Sequence, residues 1–404
     1  MDLRFGEEYE AFRAEVRAFL REHWPLRGAE AELTLSRQEQ VFRERALARG
    51  YVYRHFPRVY GGSEQPPDAL EDIVLDQEFA AVGAPRDIRG IGPAMLAPTL
   101  LDCGNEAQRL RFIPPTLRGD MRWCQGYSEP GAGSDLASLS SRAVQDGDEF
   151  VINGHKIWTS DAQSADYMFG LFRTEPGAPK HAGISYLLID MRTQGIEVRP
   201  LRQMTGGAEF NEVFFSDVRI PADSIVGRRG EGWKVSRSTL KHERNLIGDP
   251  RFLRNAFDAL VELARRRERG GRPAIEDAHV RQRLAEIEGY VASQEFSAQR
   301  QLTAALRGEA AKAALPTLMN KLYSTDTTQR ITRLAFDLLG ADGLIAPVPE
   351  EYGMGSRLRT PGGWVAQYMF AIANSIAGGA SNIQRNIIGE RGLGLPRDLR
   401  APGS

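Results

Sequence analysis

The chain has 404 residues, enough for two to four compact units at roughly 100–200 residues each. Hydrophobic content of 42% and charged content of 26% are ordinary for a globular protein and exclude extensive disorder. Fifty-two basic residues against 53 acidic ones give a net charge of -1, which argues against a nucleic-acid-binding face.

The opening segment, Met1–Glu10, is acidic and lacks the apolar stretch of a signal peptide, so a cytoplasmic protein is expected. Tyr9, Phe12, Val16, Phe19 and Leu20 then recur at spacings of three and four, the apolar stripe of a helix. Similar stripes run through Val41–Leu47 and Ile73–Phe79, separated by a loop at Phe56–Gly62. Pro114-Pro115 is expected to end the last helix of this region, because proline lacks the donor that a helix interior needs.

From Arg122 to Val226 the texture changes to short β-prone runs between turns. Asp146-Gly147 and Asn153-Gly154 are both hairpin signals, with Phe150–Ile152 as a strand between them. Ile184–Ile189, Ile196–Arg199 and Glu212–Phe215 read as further strands. Strands without interleaved helices predict an antiparallel sheet or barrel-like unit. After Gly230 the helical period returns. Val280, Leu284, Ile287 and Val291 form one stripe; Leu315, Leu318 and Leu322, with Ile331, Leu334 and Leu338, form another. Long antiparallel helices of this kind predict a four-helix bundle. Gly248-Asp249-Pro250 is expected to stop or kink its first helix. Gly340–Pro361 reads as a loop-rich interruption, with two shorter helices closing the chain. The fold class is therefore α+β, divided as a helical domain at 1–121, a β-domain at 122–228 and a helical bundle at 229–404.

Two cysteines, Cys103 and Cys124, exclude a disulfide scaffold, and no run approaches the 18 apolar residues of a membrane span. The six histidines show neither H-E-x-x-H nor any paired spacing, so no metal site is expected. No G-x-G-x-x-G follows a strand, which disfavours a Rossmann nucleotide site. The densest polar and glycine cluster is Trp123–Asp135. A strand entering such a loop presents backbone N–H groups and small hydroxyls to an oxygen-rich ligand, although an ordinary connecting loop has the same composition. Lys156–Ser160 adds a flat indole beside two hydroxyls, a pattern that strands also use for packing.

Taken together, these segments resemble the acyl-CoA dehydrogenase family. Gly104–Gln108 leading to Pro114-Pro115, the loop Tyr127–Asp135 (Y-S-E-P-G-A-G-S-D), the strand Ile152–Ser160 (I-N-G-H-K-I-W-T-S), and Ile383–Ile388 with Leu393–Pro396 are four family motifs in order. The resemblance implies a helical domain, a β-domain and a four-helix C-terminal domain, assembled as a homotetramer or as α2β2. It implies FAD as cofactor, an acyl-CoA thioester as substrate and an electron-transferring flavoprotein as partner. It places Ser128 at the flavin pyrimidine edge with Gln125 and Tyr127 nearby, and Trp158 against the isoalloxazine. Ser160 then approaches flavin N5 beside Thr159, while Gly133 and Ser134 line the cofactor loop. Arg267, Gly340 and Asn382 complete the cofactor set.

Three departures qualify this. Many relatives carry their base in a Y-E-G-T stretch, where this chain has Ala377-Gly378-Gly379-Ala380. Isovaleryl and long-chain types place it instead on the first helix of the C-terminal domain, just before an arginine, and here His242-Glu243-Arg244 stands at that place. The resemblance thus makes Glu243 the base, with Arg244 beside it, against the plainer reading of a solvated helical charge. The Gly378 backbone N–H takes the role of thioester-oxygen donor. The family's R-x-Q-F-G segment, which reaches a neighbouring subunit's FAD, has become Arg267-Glu268-Arg269-Gly270-Gly271, which also reads as a solvated charge run. Asp337 and Ala380 replace a glutamine and a threonine. The resulting expectation is an FAD-dependent dehydrogenation to the 2-enoyl-CoA. The alternatives are a half-catalytic or non-catalytic subunit of a heteromeric dehydrogenase, and a flavin oxidase or monooxygenase on the same fold.

Overall fold

The first apolar stripes fold as α1 (Glu7–His23), α2 (Leu35–Arg49) and α3 (Ala69–Ala81), followed by α4 (Ala97–Cys103) and α5 (Glu106–Arg118). These positions come from a computed structural model that describes residues 5–88, 90–247, 250–348 and 358–396. Val16, Leu20, Phe42 and Phe79 close one small core between the first three helices. The Asp68 carboxylate caps α3 by accepting the Leu70 and Glu71 N–H groups, and Asn105 with Gln108 forms a reciprocal cap on α5.

Pro114 and Pro115 do not end α5; the helix passes through them to Arg118. Phe112, Ile113, Thr116 and Leu117 stay buried along one continuous face, and that packing outweighs two missing donors. The end is set by Gly119, in the left-handed conformation at φ 81°.

Eight strands follow: β1 (Trp123–Gly126), β2 (Arg142–Asp146), β3 (Glu149–Ser160), β4 (Tyr167–Arg173), β5 (Ile184–Asp190), β6 (Ile196–Leu201), β7 (Phe210–Pro221) and β8 (Ile225–Val226). They form one sheet in the order β6-β7-β3-β2-β4-β5-β8, with β1 beside β4. The sheet is not wholly antiparallel, since β1 runs parallel to β4 and one parallel pair joins β2 to β4. One sheet face packs Phe169, Leu171, Tyr186 and Leu188 against α4 and α5; the other buries Cys124, Met168, Phe172, Val213 and Phe215. The Cys124 thiol is fully buried there.

Asp146-Gly147 makes the expected tight hairpin, with Asp146 opposite Glu149. Asn153-Gly154 does not make a turn, because β3 continues through it to Ser160. The pair marks a bulge against β7, where Asn153 exchanges hydrogen bonds with Asp217. Glycine is required at 154 by close approach: a Cβ there would lie 2.2 Å from Ser141 Oγ.

The remaining helices are α6 (Gly232–Ile247), α7 (Pro250–Arg266), α8 (Ala278–Leu306), α9 (Ala310–Leu339), α10 (Pro361–Ala373) and α11 (Ser381–Ile387). A shared core of Leu253, Phe257 and Leu260 from α7, Val280, Ile287 and Val291 from α8, Ile331 and Leu334 from α9, and Trp364 and Val365 from α10 makes the expected four-helix bundle. Gly248 and Asp249, where a kink was expected, lie outside the described residues. The chain divides into two units, one of Asp2–Arg199 with Phe210–His242, the other of Pro200–Glu209 with Glu243–Ser404. No helix among the described residues is long and apolar enough to cross a membrane.

Candidate active site

Within the first unit, β1 delivers the chain into the loop at Tyr127–Asp135. Tyr127 is buried, its ring set edge-on to Phe169 and Tyr186. Glu129 and Ala132 exchange backbone hydrogen bonds at 3.0 Å, which folds the loop back on itself. The Glu129 side chain turns inward rather than to solvent. It accepts from Lys156 Nζ at 2.8 Å, from the Ser140 N–H at 2.6 Å, from Ser140 Oγ at 2.9 Å and from the Ser141 N–H at 2.9 Å. Lys156 Nζ also donates to Tyr127 O at 3.2 Å, and the Ile157 N–H donates to Ser128 O at 2.9 Å. A buried ion pair with four supporting hydrogen bonds therefore fastens the loop to β3.

Burial alone would raise the Glu129 pKa, but the Lys156 charge and the hydrogen bonds from Lys156, Ser140 and Ser141 bring it down to about 2. Lys156 is pushed down to about 8 by complete burial, against the opposing pull of Glu129. The pair is ionised at neutral pH.

Just beyond Lys156 the register against β7 shifts, with Lys156 opposite Val213 and Thr159 opposite Asn211. The bulge puts Trp158 at φ 60°, a conformation a tryptophan rarely adopts, and leaves its indole 59% exposed. An exposed aromatic held at a cost in backbone strain, two residues beyond Lys156 and edge-on to Phe210, has the form of a stacking face. Gln125, Ser128 and Ser160 are half-buried, and Gly133 and Ser134 are exposed. A Cβ added at Gly131 or Gly133 would meet nothing within 4 Å, so the chain leaves open space along this loop. Thr159 differs from the rest of the predicted set: its side chain is fully buried, and among the described residues its hydroxyl has no hydrogen-bond partner.

The second unit holds the other predicted residues. Glu243 is half-buried on α6; the Arg244 side chain lies outside the described ones. Gly378 and Gly379 lie in the turn between α10 and α11, both left-handed, at φ 62° and 98°. Lys321, on α9 and 2% exposed, donates from Nζ to Asn374 O at 2.8 Å and Gly379 O at 2.9 Å. Gln384 Nε2 donates to Gly378 O at 3.2 Å. The Asn374, Gly378 and Gly379 carbonyls are thus engaged, whereas the Gly378 N–H has no acceptor among the described residues. Arg267 Nη1 donates to Asp342 Oδ2 at 2.5 Å, so its guanidinium already has a carboxylate partner in its own chain. Gly340 ends α9 at φ 56°, and Asn382 is exposed on α11.

Sequence reasoning did not single out Glu129, Lys156 or Lys321, whose contacts tie these segments together. A signal for the two lysines was present: the chain has six lysines against 46 arginines, and these two stand at apolar positions. Lys156 interrupts a β-prone run, and Lys321 falls on the Leu318–Leu322 stripe.

The chain matches three family models along its length: acyl-CoA dehydrogenase N-terminal domain at residues 6–120, middle domain at 124–218 and C-terminal domain at 230–393. It is 36% identical over 405 residues to the acyl-CoA dehydrogenase IpdE1 of Mycobacterium tuberculosis, covering 98% of this chain and 100% of that one. The solved structure of the Tcur3481-Tcur3483 steroid ACAD is similar at 30% identity and a TM-score of 0.76, over 98% of this chain and 100% of that one. The ChsE4-ChsE5 complex from Mycobacterium tuberculosis is similar at 29% identity and a TM-score of 0.74, over 98% and 100% respectively.

Proposed function

This chain belongs to the acyl-CoA dehydrogenase family, oxidoreductases acting on acyl-CoA, and from that premise we propose that it dehydrogenates a bulky acyl-CoA thioester to the 2-enoyl-CoA. The proposed cofactor is FAD and the proposed electron acceptor an electron-transferring flavoprotein. The observation that carries this reading is the exposed, strained Trp158 on the strand to which the Glu129–Lys156 pair fastens the Tyr127–Asp135 loop, with Ser128 and Ser160 half-buried on those two segments. An indole face, small hydroxyls and an open glycine loop fit a flat heterocycle with a phosphate-bearing tail. Gln125, Tyr127, Ser128, Gly133, Ser134, Trp158 and Ser160 would hold the group, with Thr159 bracing the strand from inside; Gly340 and Asn382 are also proposed for the cofactor set. When bound, FAD supplies the acceptor for the β-hydride.

The chain's own residues account for the proton side. An α-proton beside a thioester is a weak acid, so it needs both a carboxylate to receive it and a donor at the thioester oxygen. Glu243 is the proposed base and the unpaired Gly378 N–H the proposed donor. Similarity to a structure titled steroid ACAD supports a bulky acyl group. A panel of straight-chain, branched and steroid acyl-CoAs, mixed anaerobically with the purified yellow protein, tests the class by flavin bleaching. Glu243→Gln is expected to retain flavin and ligand yet bleach at least roughly a thousand-fold more slowly, within general-base magnitudes of about 10²–10⁴. Bleaching near the parent rate would remove Glu243 from the mechanism.

The engagement of Arg267 by Asp342 favours one further element, an α2β2 assembly in which this chain supplies only some of the FAD contacts. Its similarity to the ChsE4-ChsE5 complex points the same way. Sedimentation mass and flavin per chain test it: about one flavin per chain in a homotetramer would count against it, and a lone 44.8 kDa holoprotein would exclude both assemblies.

A further inference from the structure

Lys321 lies deep in the second unit, 2% exposed. An isolated buried ammonium is costly, and it persists where several acceptors converge on it. Here two backbone carbonyls converge, Asn374 O at 2.8 Å and Gly379 O at 2.9 Å, from either side of the turn that carries Gly378. Gln384 Nε2 takes the carbonyl between them at 3.2 Å, and Ser381 closes the turn through its N–H to Ser375 O at 2.9 Å. With those carbonyls drawn inward, the Gly378 N–H is one of the turn's donors left without an acceptor among the described residues.

The charge acts in a second direction. Burial lowers the Lys321 pKa, while Asp326 on the same helix and Glu243 on α6 oppose that shift through their negative charges. Arg385 on α11 approaches Asp326 at 3.9 Å, so Asp326 is partly neutralised by another partner.

We propose that Lys321 is a positioning residue for the dehydrogenation: it holds the Asn374–Gly379 turn so that the Gly378 N–H faces the thioester oxygen, and its ammonium, seated on that turn, steadies the enolate-like oxygen. This rests on the reading of Glu243 as base and Gly378 as oxygen donor. Lysine suits the task because its compact ammonium meets two carbonyls approaching from different directions, whereas the planar arginine fork does not.

The test uses the protein as purified, with Lys321→Met, Lys321→Gln and Glu243→Gln variants. Acetoacetyl-CoA is the probe, because its α-proton ionises without any hydride being lost, and its enolate is followed by absorbance against pH. Lys321→Met is expected to raise the apparent pKa of the bound probe by about one unit or more, a roughly tenfold loss in ionisation. Amide exchange across Asn374–Ser381 is expected to speed up at least about tenfold, a readout independent of flavin and substrate. Lys321→Gln keeps a donor and loses the charge. It is expected to restore slow exchange but not the probe's ionisation, and it carries the test should the methionine variant fail to fold. Fast exchange with an unchanged probe pKa, or no change in either, would overturn the proposal. Glu243→Gln separates the two readings: if it leaves substrate bleaching intact, the base assignment fails, whatever Lys321 does to exchange in the turn.

Discussion

The two buried lysines of the chain do the same mechanical task with different chemistry. Lys156 fastens the Tyr127–Asp135 loop to β3 through a full counter-charge, Glu129, which is itself bound by three donors from Ser140 and Ser141. Lys321 fastens the Asn374–Gly379 turn through two neutral carbonyls, with its carboxylate neighbours acting only through space. The first arrangement cancels charge locally and gives rigidity. The second leaves a positive field in its surroundings and gives electrostatic influence. A buried ion pair is thus suited to a platform, and a buried ammonium on carbonyls to a site where negative charge comes and goes.

The largest expected effect tests the platform. Lys156→Met strands a buried carboxylate and should lower unfolding free energy by about 3–5 kcal/mol, read from urea denaturation. A Lys156→Met/Glu129→Leu double variant should recover most of that loss; if it recovers none, the pair is not what holds the loop to the strand. Lys321→Met leaves two carbonyls unsatisfied rather than a charge, so its stability cost should be smaller, about 1–3 kcal/mol.

Acid sharpens the comparison further. Glu129 is held at about 2 in the fold, below its ordinary value of 4.5. Its stabilising contribution is therefore fully present above pH 4.5 and is lost as pH falls towards about 2, because the unfolded chain takes up the proton first. Melting temperature against pH should show this acid limb in the parent and a flattened one in Glu129→Gln. Equal limbs would mean that the carboxylate is not ion-paired in solution.

The smallest effect on stability, and a selective one on binding, is expected at Trp158. Trp158 is exposed and strained, so Trp158→Gly should change stability by less than about 1 kcal/mol, relief of the left-handed conformation offsetting the gain in chain entropy. Flavin retention on dilution should nevertheless fall at least about tenfold, since stacking is lost. A variant that keeps its flavin as tightly as the parent would break the link between the strained indole and the cofactor.

These residues also show what was readable in advance. Trp158, Ser128 and Gly133 stand in contiguous motifs, so order along the chain was enough to pick them out. Glu129 and Lys156 are 27 residues apart, and Lys321 and Gly379 are 58 apart. No local pattern reports that such groups meet; lysine at these two positions of an arginine-rich chain is the one local trace, and it names neither partner. Asn153-Gly154 misled because the same dipeptide serves a turn and a bulge, and the deciding fact is the proximity of Ser141 across the strand. Pro114-Pro115 misled because a buried helix face contributes more than two missing donors cost.

Cys124, buried on β1 directly before that loop, gives this chain a built-in clock. Burial pushes its thiol well above the ordinary range, and Cys103 is also raised, chiefly by burial and then by Asp102. A thiolate-directed alkylating reagent therefore has no ready target at the fully buried Cys124, in contrast to the part-buried Cys103. The rate at which Cys124 becomes labelled, followed by mass, counts how often the sheet beneath the loop opens to solvent. The same count in Lys156→Met and Lys321→Met would separate a loosened platform from a loosened turn, without any ligand, flavin or substrate in the tube.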